Sequence, residues 1–507
     1  MILRNFLLEH FASLVILLFL PLSFFGAEFS ASLWGMTVDF FFLLNPLSGK
    51  WCVRNMRETT FFTLNKTMNK FIQKAFGLDP KVTTIKTEIL AGITTFLTMS
   101  YILAVNPGIF SALPEMPTGS VFTATALAAI IGTLVMAFYA KKPFALAPGM
   151  GLNAFFVFTV CLGMGYSWQF ALTAVLLEGI IFILLTVTNV RKWIVDSIPV
   201  SIKKAIGCGI GLFIAFIGLK NAGVIVSNDA TTVALGDITH GTALLAIIGL
   251  VLTSFLVVKK VPGALLIGMI ATAALGLVMK DPATGEHITK FNGIASVPDS
   301  VSPIFCKFEW SQVFSLDMFV VVFTFMFIDM FDTIGTVVGV STKAKMIDEK
   351  GNIPDINKTL MSDAIATVAG ACLGTSTTTT YVESASGIAQ GGRSGLTAFT
   401  AAVCFAVALF FSPIFLAIPG AATAPILVIV GVFMMSPIRD IDFENYSEAI
   451  PAFITLIAMP LCYSISDGIM LGMISYVLIN LLCCNFKKIS PAAYILAAIF
   501  VAKYILL

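Results

Sequence analysis

The sequence Gly374–Arg393, GTSTTTTYVESASGIAQGGR, lies among long apolar segments, yet it cannot form an ordinary membrane-spanning helix. The consecutive threonines 377–380 favour extended backbone, because branching at Cβ crowds the preceding helical turn. A carboxylate, Glu383, then opens a short run of small residues. Irregular backbone at membrane depth persists only where protein or a wet cavity satisfies its amides. A strand, an acid and a half-length helix predict a transporter's binding site; the alternative is a polar loop outside the membrane.

The composition is that of a polytopic membrane protein. Of the 507 residues, 58% are hydrophobic and 11% are charged, whereas a soluble domain carries about 25% charged residues. The formal net charge of +2 is too small to indicate nucleic acid as a partner, so the expected partner is the lipid bilayer. The cysteines are scattered and the histidines stand apart, without disulfide or metal spacing. No cofactor or metal is expected.

Residues 1–67 fit poorly with the rest of the chain and have three interpretations. A signal peptide, an additional membrane segment and upstream sequence before a start at Met68 are all compatible with the pattern. The third is preferred, because Met68 opens a sensible cytoplasmic lead-in.

Segments of spanning length recur regularly from Thr87 onward. The first half has predicted spans at 87–108, 121–140, 143–163, 168–190, 201–222, 241–258 and 260–279. The second half has predicted spans at 316–341, 356–373, 381–392, 394–418, 422–437, 448–464 and 466–485. A further apolar segment, 491–506, is either an extra helix or an interfacial one.

Basic residues alternate between successive connections, which predicts the orientation. Lys141 and Lys142 follow span two, whereas the connection 111–120 has no basic residue. The lead-in and the ends of even-numbered spans are therefore placed in the cytoplasm. The protein is expected to lie in an inner or plasma membrane. The loop 280–315 is expected to face outside.

An odd number of spans per half reverses the orientation of the second half, so the halves are predicted to be inverted repeats. Gly-Met-Ile occurs at the same offset in 263–278 and 467–482. Pro148 interrupts span three, the counterpart of span ten. The predicted fold is an all-α polytopic membrane protein with about 14 spans, a 7+7 inverted repeat whose third and tenth spans contain short strands.

Two carboxylates in span eight, Asp329 and Asp332, are three residues apart and lie on one helical face. An acid near the bilayer centre costs at least ~2.5 kcal/mol, so it normally faces a cavity and has a partner. A functional role is predicted for at least one of them and for Glu383. The alternative is structural pairing with hydroxyl groups, a backbone terminus or Arg393.

Three further polar residues have open interpretations. Asn153, just after the break at Pro148, either orients a ligand or caps the half-helix. Glu178 in span four is either a proton-relay group or a hydrogen-bond partner of a neighbouring helix. Asp363 is expected to be a surface cap near the start of span nine.

The acids constrain the substrate. Half-helix amino termini alone favour anions, but carboxylates at the break suit a neutral ligand with N–H donors. Burial disfavours the ionised carboxyl, and protonation removes both its charge and its acceptor capacity. Ligand binding is thus predicted to be linked to proton binding.

Four motifs in chain order carry a family resemblance: TEILAGITTFLTMSYILAVNP (87–107), KPFALAPGMGLNAFF (142–156), FIDMFDTIGT (327–336) and TSTTTTYVESASGIAQGGRSGLTA (375–398). They resemble the purine permeases of the nucleobase–cation symporter family, in the azaguanine-type branch that carries adenine, guanine and hypoxanthine. The resemblance runs from Met68 to the carboxyl end. It implies proton symport and an elevator-like or rocking movement of a core domain (87–190 and 316–418) against a gate domain (201–279 and 422–485).

The resemblance also assigns roles. Glu383 would hold the base through its ring N–H groups, and Asp329 would be a second ligand or the proton carrier, modulated by Asp332. The predicted substrate site comprises Asn153, Asp329, Thr380, Glu383 and Ser384. The predicted proton-coupling groups are Asp329, Asp332 and Glu383.

The sequence therefore predicts a purine importer coupled to protons and not an enzyme. Paired histidines, a cysteine–histidine pair and a hydrolase serine elbow, which an intramembrane enzyme would need, are all missing from the sequence. The main alternative is an anion exchanger of the same fold; a passive channel is another. Sodium coupling, the preferred purine and a homodimer through the gate domain stay open.

Overall fold

The computed structural model describes residues 72–187, 199–282, 285–291, 293–343, 346, 353 and 355–506. The interpretations of residues 1–67 thus concern a segment outside the described residues. Contacts divide the chain into Met1–Lys74 and Ala75–Leu507, and every labelled helix and strand lies in the second unit.

The first half of that unit builds α1 (Ile85–Met99), α2 (Ile102–Phe110), α3 (Thr118–Val135), β1 (Leu146–Pro148), α4 (Met150–Ala154), α5 (Trp168–Val187), α6 (Val200–Asn221), β2 (Ile225–Asn228), β3 (Thr232–Leu235), α7 (Gly241–Val258) and α8 (Ala264–Gly276). π-Helical turns prolong α3 through Met136–Ala140 and α4 through Phe155–Gly163.

The second half builds α9 (Leu316–Lys343), α10 (Ile356–Leu373), β4 (Thr378–Thr380), α11 (Ser384–Ala389), α12 (Gly395–Ala408), α13 (Ser412–Leu416), α14 (Gly420–Met434), α15 (Tyr446–Leu461), α16 (Ile465–Leu482) and α17 (Pro491–Leu506). Short 3-10 turns lie at Leu409–Phe411, Ser436–Asp440 and Phe486–Lys488.

The helices match the predicted spans closely. Within the described part of the chain, 8 helices are long and apolar enough to cross a membrane, and further apolar helices are shorter. The predicted segment 491–506 is a helix, α17. Span ten contains only the short helix Ser384–Ala389 within the predicted 381–392. The predicted membrane fold with interrupted third and tenth crossings is confirmed.

The two interruptions are strands that pair with each other. β1 and β4 are antiparallel, with Leu146 opposite Thr380 and Pro148 opposite Thr378. Side chains satisfy further backbone groups at this point: Thr133 Oγ1 accepts from the N–H of Leu146 at 2.9 Å, and Thr367 donates to the carbonyl of Thr378 at 3.1 Å. Extended backbone is therefore stable here, because protein groups replace the hydrogen bonds that lipid cannot supply.

The strand pair also reflects the inverted repeat. β1 follows the second crossing of the first half, and β4 follows the second crossing of the second half. Two equivalent strands related by a two-fold axis in the membrane plane must run antiparallel, which is the observed arrangement.

Helices from the two halves interlock in two groups. α3 and α5 pack on α10, and α1 and α3 pack on α12, whereas α6 packs on α14 and α15. Small residues permit the closest approach in the second group: a Cβ at Gly211 would lie 2.7 Å from the carbonyl oxygen of Gly431. Such close contact between glycines is typical of helix packing in membranes.

The loop between α8 and α9 is attached to both groups of helices. Thr289 donates its hydroxyl to the carbonyl of Ala273 in α8 at 2.7 Å. Residues 296–309, called the strap below, instead cross helices of the other group: Ser120 in α3 donates to the carbonyl of Ser300 at 2.8 Å. The short stretch 290–295 therefore connects the two groups.

Candidate substrate site

The strand pair brings the breaks of spans three and ten to one place. α4 begins after Gly149, whose N–H donates to the carbonyl of Thr377 at 3.0 Å. α11 begins after Glu383, close to Tyr381, whose N–H donates to the carbonyl of Ala145 at 3.0 Å. Both half-helices thus start from the same two-stranded sheet.

The hydroxyl groups of the threonine run bond to side chains of neighbouring helices. Thr377 donates to Glu178 in α5 at 2.6 Å, and Thr379 shares a 2.7 Å hydrogen bond with Thr333 in α9. Glu178 thus accepts from the residue just before β4, whereas the sequence suggested a hydrogen bond to a neighbouring helix or a proton-relay role. A relay role for Glu178 stays a prediction.

Asp363 in α10 joins the same hydrogen-bonded cluster as Thr333. Thr380 donates to Asp363 Oδ1 at 3.2 Å, and Asp363 Oδ2 lies 2.8 Å from the hydroxyl oxygen of Thr333. Asp363 has no exposed surface. The expectation that it caps the surface is wrong: it is a buried acceptor that joins α9, α10 and the strand β4.

Glu383 lies at the start of α11 and is half-buried. The hydroxyl of Tyr101 donates to its Oε1 at 2.6 Å. Tyr101 is fully buried at the junction between α1 and α2, so it holds the carboxylate in a defined orientation.

The two aspartates of α9 occupy different environments. Asp329 has no exposed surface, and its Oδ1 lies 3.1 Å from the hydroxyl oxygen of Thr333. Asp332 is half-buried and lies within electrostatic range of both Asp329 and Glu383. The structure thus brings all three predicted proton-coupling carboxylates together. The described residues show no ion pair between these acids and Arg393, which donates instead to the carbonyls of Ile388 and Gly392.

Asn153 lies in the first turn of α4 and is fully buried. Its Oδ1 accepts from the hydroxyl of Ser376. Its side chain does not cap the half-helix, because the N-cap residue is Gly149 and Asn153 Oδ1 is engaged by Ser376. Its Nδ2 has no hydrogen-bond partner among the described residues, so this amide can donate to a ligand.

Thr380 and Ser384, the remaining predicted substrate residues, have engaged hydroxyl groups. Thr380 donates to Asp363, and Ser384 Oγ accepts from the N–H of Ala145 at 3.0 Å. Both residues are buried. They support the strand pair, and a direct contact with substrate stays a prediction.

Sequence reasoning missed two residues that shape this region. Tyr101 sits in an apolar run, and its only signal is a hydroxyl at a helix junction. Glu88, in the first turn of α1, is fully buried and accepts from the N–H groups of Arg393 and Ser394 at 2.8 and 3.2 Å. It also accepts from the hydroxyl of Thr397 at 2.5 Å. An acid in the first turn of a helix usually interacts with the amino terminus of that same helix. The sequence therefore did not indicate that Glu88 bonds to the backbone at Arg393 and Ser394.

A cavity of about 360 Å³ lies at the other end of the tenth crossing. Its lining comprises Gly77, Asp79, Val82, Thr83, Met346, Arg393 and Ser394. None of the predicted site residues lines it, so it is distinct from the acidic cluster.

Comparisons with known proteins identify relatives along most of the chain. A model of the Permease family matches residues 86–471. A putative permease of Methanocaldococcus jannaschii is 48% identical over 86% of this chain and 99% of its own. The adenine permease AdeQ of Escherichia coli is 41% identical over 86% of this chain and 96% of its own. The guanine/hypoxanthine permease PbuG of Bacillus subtilis is 43% identical over 85% of this chain and 99% of its own.

Solved structures share the fold at low identity. The transmembrane domain of the cyanobacterial bicarbonate transporter BicA has a TM-score of 0.56 at 15% identity, covering 76% of this chain and 97% of that one. A murine anion transporter of the Solute Carrier 26 family, in its inward-facing state, has a TM-score of 0.56 at 12% identity, covering 88% of this chain and 73% of that one. At these identities the likeness shows the 7+7 inverted-repeat fold alone.

Proposed function

The chain belongs to the nucleobase–cation symporter family of permeases, and we propose that it imports purine nucleobases by proton symport. It is a multi-pass membrane transporter and not an enzyme. The names of its relatives, adenine permease and guanine/hypoxanthine permease, support a purine as the substrate. The observation that carries the proposal is the pairing of the two breaks through β1 and β4, with Glu383 at the start of α11 and within electrostatic range of Asp332.

The polar groups at the breaks complement a purine edge. A purine base presents ring N–H donors beside ring nitrogen or carbonyl acceptors. Tyr101 engages one oxygen of Glu383, and the carboxylate can accept N–H groups from the base with its other oxygen. The amide nitrogen of Asn153, at the other break, has no hydrogen-bond partner among the described residues, and we propose that it donates to an acceptor on the ligand. An anion would instead face three carboxylates, which disfavours the anion-exchanger alternative.

The proximity of these acids supports the proposed proton coupling. Carboxylates that share a site oppose simultaneous ionisation, so at least one tends to hold a proton. Asp332 is half-buried beside Asp329 and Glu383. A proton taken up by this cluster neutralises charge that would otherwise have to cross the membrane with the substrate.

Transport requires the site to reach each side of the membrane in turn. We assign this to movement of the core domain (87–190 and 316–418) against the gate domain (201–279 and 422–485), with the lysine-rich ends of even-numbered spans in the cytoplasm. The separate packing of α3, α5 and α10 from α6, α14 and α15 supports this division.

Uptake of labelled hypoxanthine into cells expressing the protein tests the function. We expect saturable accumulation above the external concentration, competition by unlabelled adenine or guanine, and little effect of sulfate or bicarbonate. An uncoupler should abolish accumulation, whereas removal of sodium should not. Inhibition by bicarbonate without competition by any purine would favour the anion exchanger.

Asp332→Asn should separate binding from proton coupling. The amide resembles a permanently protonated carboxyl group, so an inward proton gradient should no longer drive accumulation. We expect at least a tenfold lower steady-state accumulation ratio, while exchange of labelled for unlabelled hypoxanthine continues at equal concentrations. Vesicles with imposed pH gradients measure both quantities.

Asp229→Asn is the matched control, because Asp229 is an exposed aspartate at the turn between β2 and β3. It should leave accumulation and exchange unchanged. Full gradient-driven accumulation by the Asp332→Asn protein would remove Asp332 from the coupling mechanism.

A further inference from the structure

The strap lies against the carboxyl end of α10 at one tightly packed point. The N–H of Cys306 donates to the carbonyl of Cys372 at 2.8 Å. Ile304 is fully buried, and a Cβ at Gly374 would lie 2.7 Å from its side chain and from its carbonyl oxygen. The two backbones are therefore in direct contact, although more than sixty positions separate them in the sequence.

The same contact brings two thiols together. The Cys306 side chain lies close enough to the Cys372 thiol to interact with it electrostatically. Residues joined by a backbone hydrogen bond lie about as close as paired strand residues, ~5.5 Å between Cα atoms. That separation lies within the ~4.4–6.8 Å that a disulfide spans.

The backbone conformation at position 306 does not favour a cysteine. Cys306 has φ +52°, a left-handed conformation that residues with a Cβ adopt uncommonly and that glycine adopts readily. The thiol is exposed, and that of Cys372 is half-buried; both are free in this structure. An oxidant can thus reach one sulfur, and the second sulfur is beside it.

We propose that Cys306 and Cys372 form a reversible disulfide that fastens the strap to α10. By the predicted orientation the strap faces the outside of the cell, where disulfides persist more readily than in the cytosol. The bond closes a long loop, which stabilises the folded chain chiefly by restricting the unfolded one.

The redox step balances with a small-molecule disulfide as oxidant. The Cys306 thiol loses its proton, and the thiolate attacks glutathione disulfide, which releases one glutathione thiolate and leaves a mixed disulfide. The Cys372 thiolate, formed by loss of the second proton, then displaces the second glutathione. Two protein thiols are oxidised by two electrons, and one glutathione disulfide is reduced to two glutathione molecules.

The bond would leave transport intact. Besides Cys372, the strap contacts α3 through Ser120 and α5 through Thr173, which accepts from the N–H of Glu309 at 2.8 Å. All these helices lie in the proposed core domain. A bond between two parts of one moving body should not hinder its movement against the gate.

The full-length protein, purified in detergent and equilibrated with glutathione disulfide, tests the proposal. After acid quenching and thiol blocking, we expect two fewer reactive thiols per chain and a linked peptide containing Cys306 and Cys372. The oxidised protein should melt several degrees higher, and dithiothreitol should reverse both changes. Reconstituted oxidised protein should retain uptake within about twofold.

Cys306→Ser and Cys372→Ser should each abolish the thiol loss and the shift in melting temperature. Cys462→Ser is the matched control, because it removes another exposed thiol and should leave both changes intact. A thiol loss that persists in Cys306→Ser, or peptide mapping that finds these two cysteines unlinked after oxidation, would overturn the proposal. Neither result depends on whether purines are transported.

Discussion

Replacing Glu383 with glutamine is expected to lower purine uptake at least about 100-fold. The substitution removes the negative charge and replaces one acceptor oxygen with a donor, which then faces the N–H groups of the base. A hydrogen bond to a charged group is worth ~1.5–3 kcal/mol, and ~1.4 kcal/mol corresponds to tenfold in affinity. Loss of two such bonds therefore accounts for the expected effect.

Initial rates of labelled hypoxanthine uptake, normalised to the amount of protein in the membrane, measure this loss. The matched control is Glu444→Gln, because Glu444 is exposed in the loop before α15. It should transport at the wild-type rate. A rate within threefold of wild type for Glu383→Gln would show that this carboxylate does not hold the base.

Glu88→Ala is expected to produce the largest loss of stability. Glu88 is fully buried and accepts from the N–H groups of Arg393 and Ser394 and from the hydroxyl of Thr397. Each buried donor left without an acceptor costs ~1–3 kcal/mol. We expect a total loss of ~3–5 kcal/mol, because three donors lose one shared acceptor group.

Thermal unfolding of the purified protein in detergent measures the effect. Glu88→Gln keeps one acceptor oxygen of nearly the same shape, so its melting temperature should lie between those of Glu88→Ala and the wild type. Equal melting temperatures for all three proteins would contradict the role assigned to Glu88. The folded fraction of Glu88→Gln should still bind hypoxanthine, because Glu88 contacts none of the predicted substrate residues in the described hydrogen bonds.

The fold follows from signals that are local along the chain. Apolar segments of spanning length, the threonine run at 377–380 and the break at Pro148 each act within a few residues. These features predicted the two interrupted crossings, and the motifs predicted the family, both of which are confirmed. The roles of Asn153, Asp329, Asp332 and Glu383 stay predictions that the transport experiments test.

The hydrogen-bond partners of the polar groups could not be predicted from local sequence in the same way. Asp363 resembled a surface cap in sequence, because a carboxylate near a helix start usually is one, yet hydroxyls from α9 and β4 enclose it. Tyr101 showed no polar pattern, although it donates to Glu383.

The chain order of apolar segments, charges and strand-forming residues thus determines the membrane class, the number of crossings and where two of them break. Such properties depend on neighbours in sequence, since each segment is matched to the bilayer separately. The pairing of Tyr101 with Glu383, of Glu88 with the backbone at Arg393, and of Cys306 with Cys372 depends on folding. Each pair joins residues far apart in the chain, and only the packing of the helices decides which buried donor meets which acceptor.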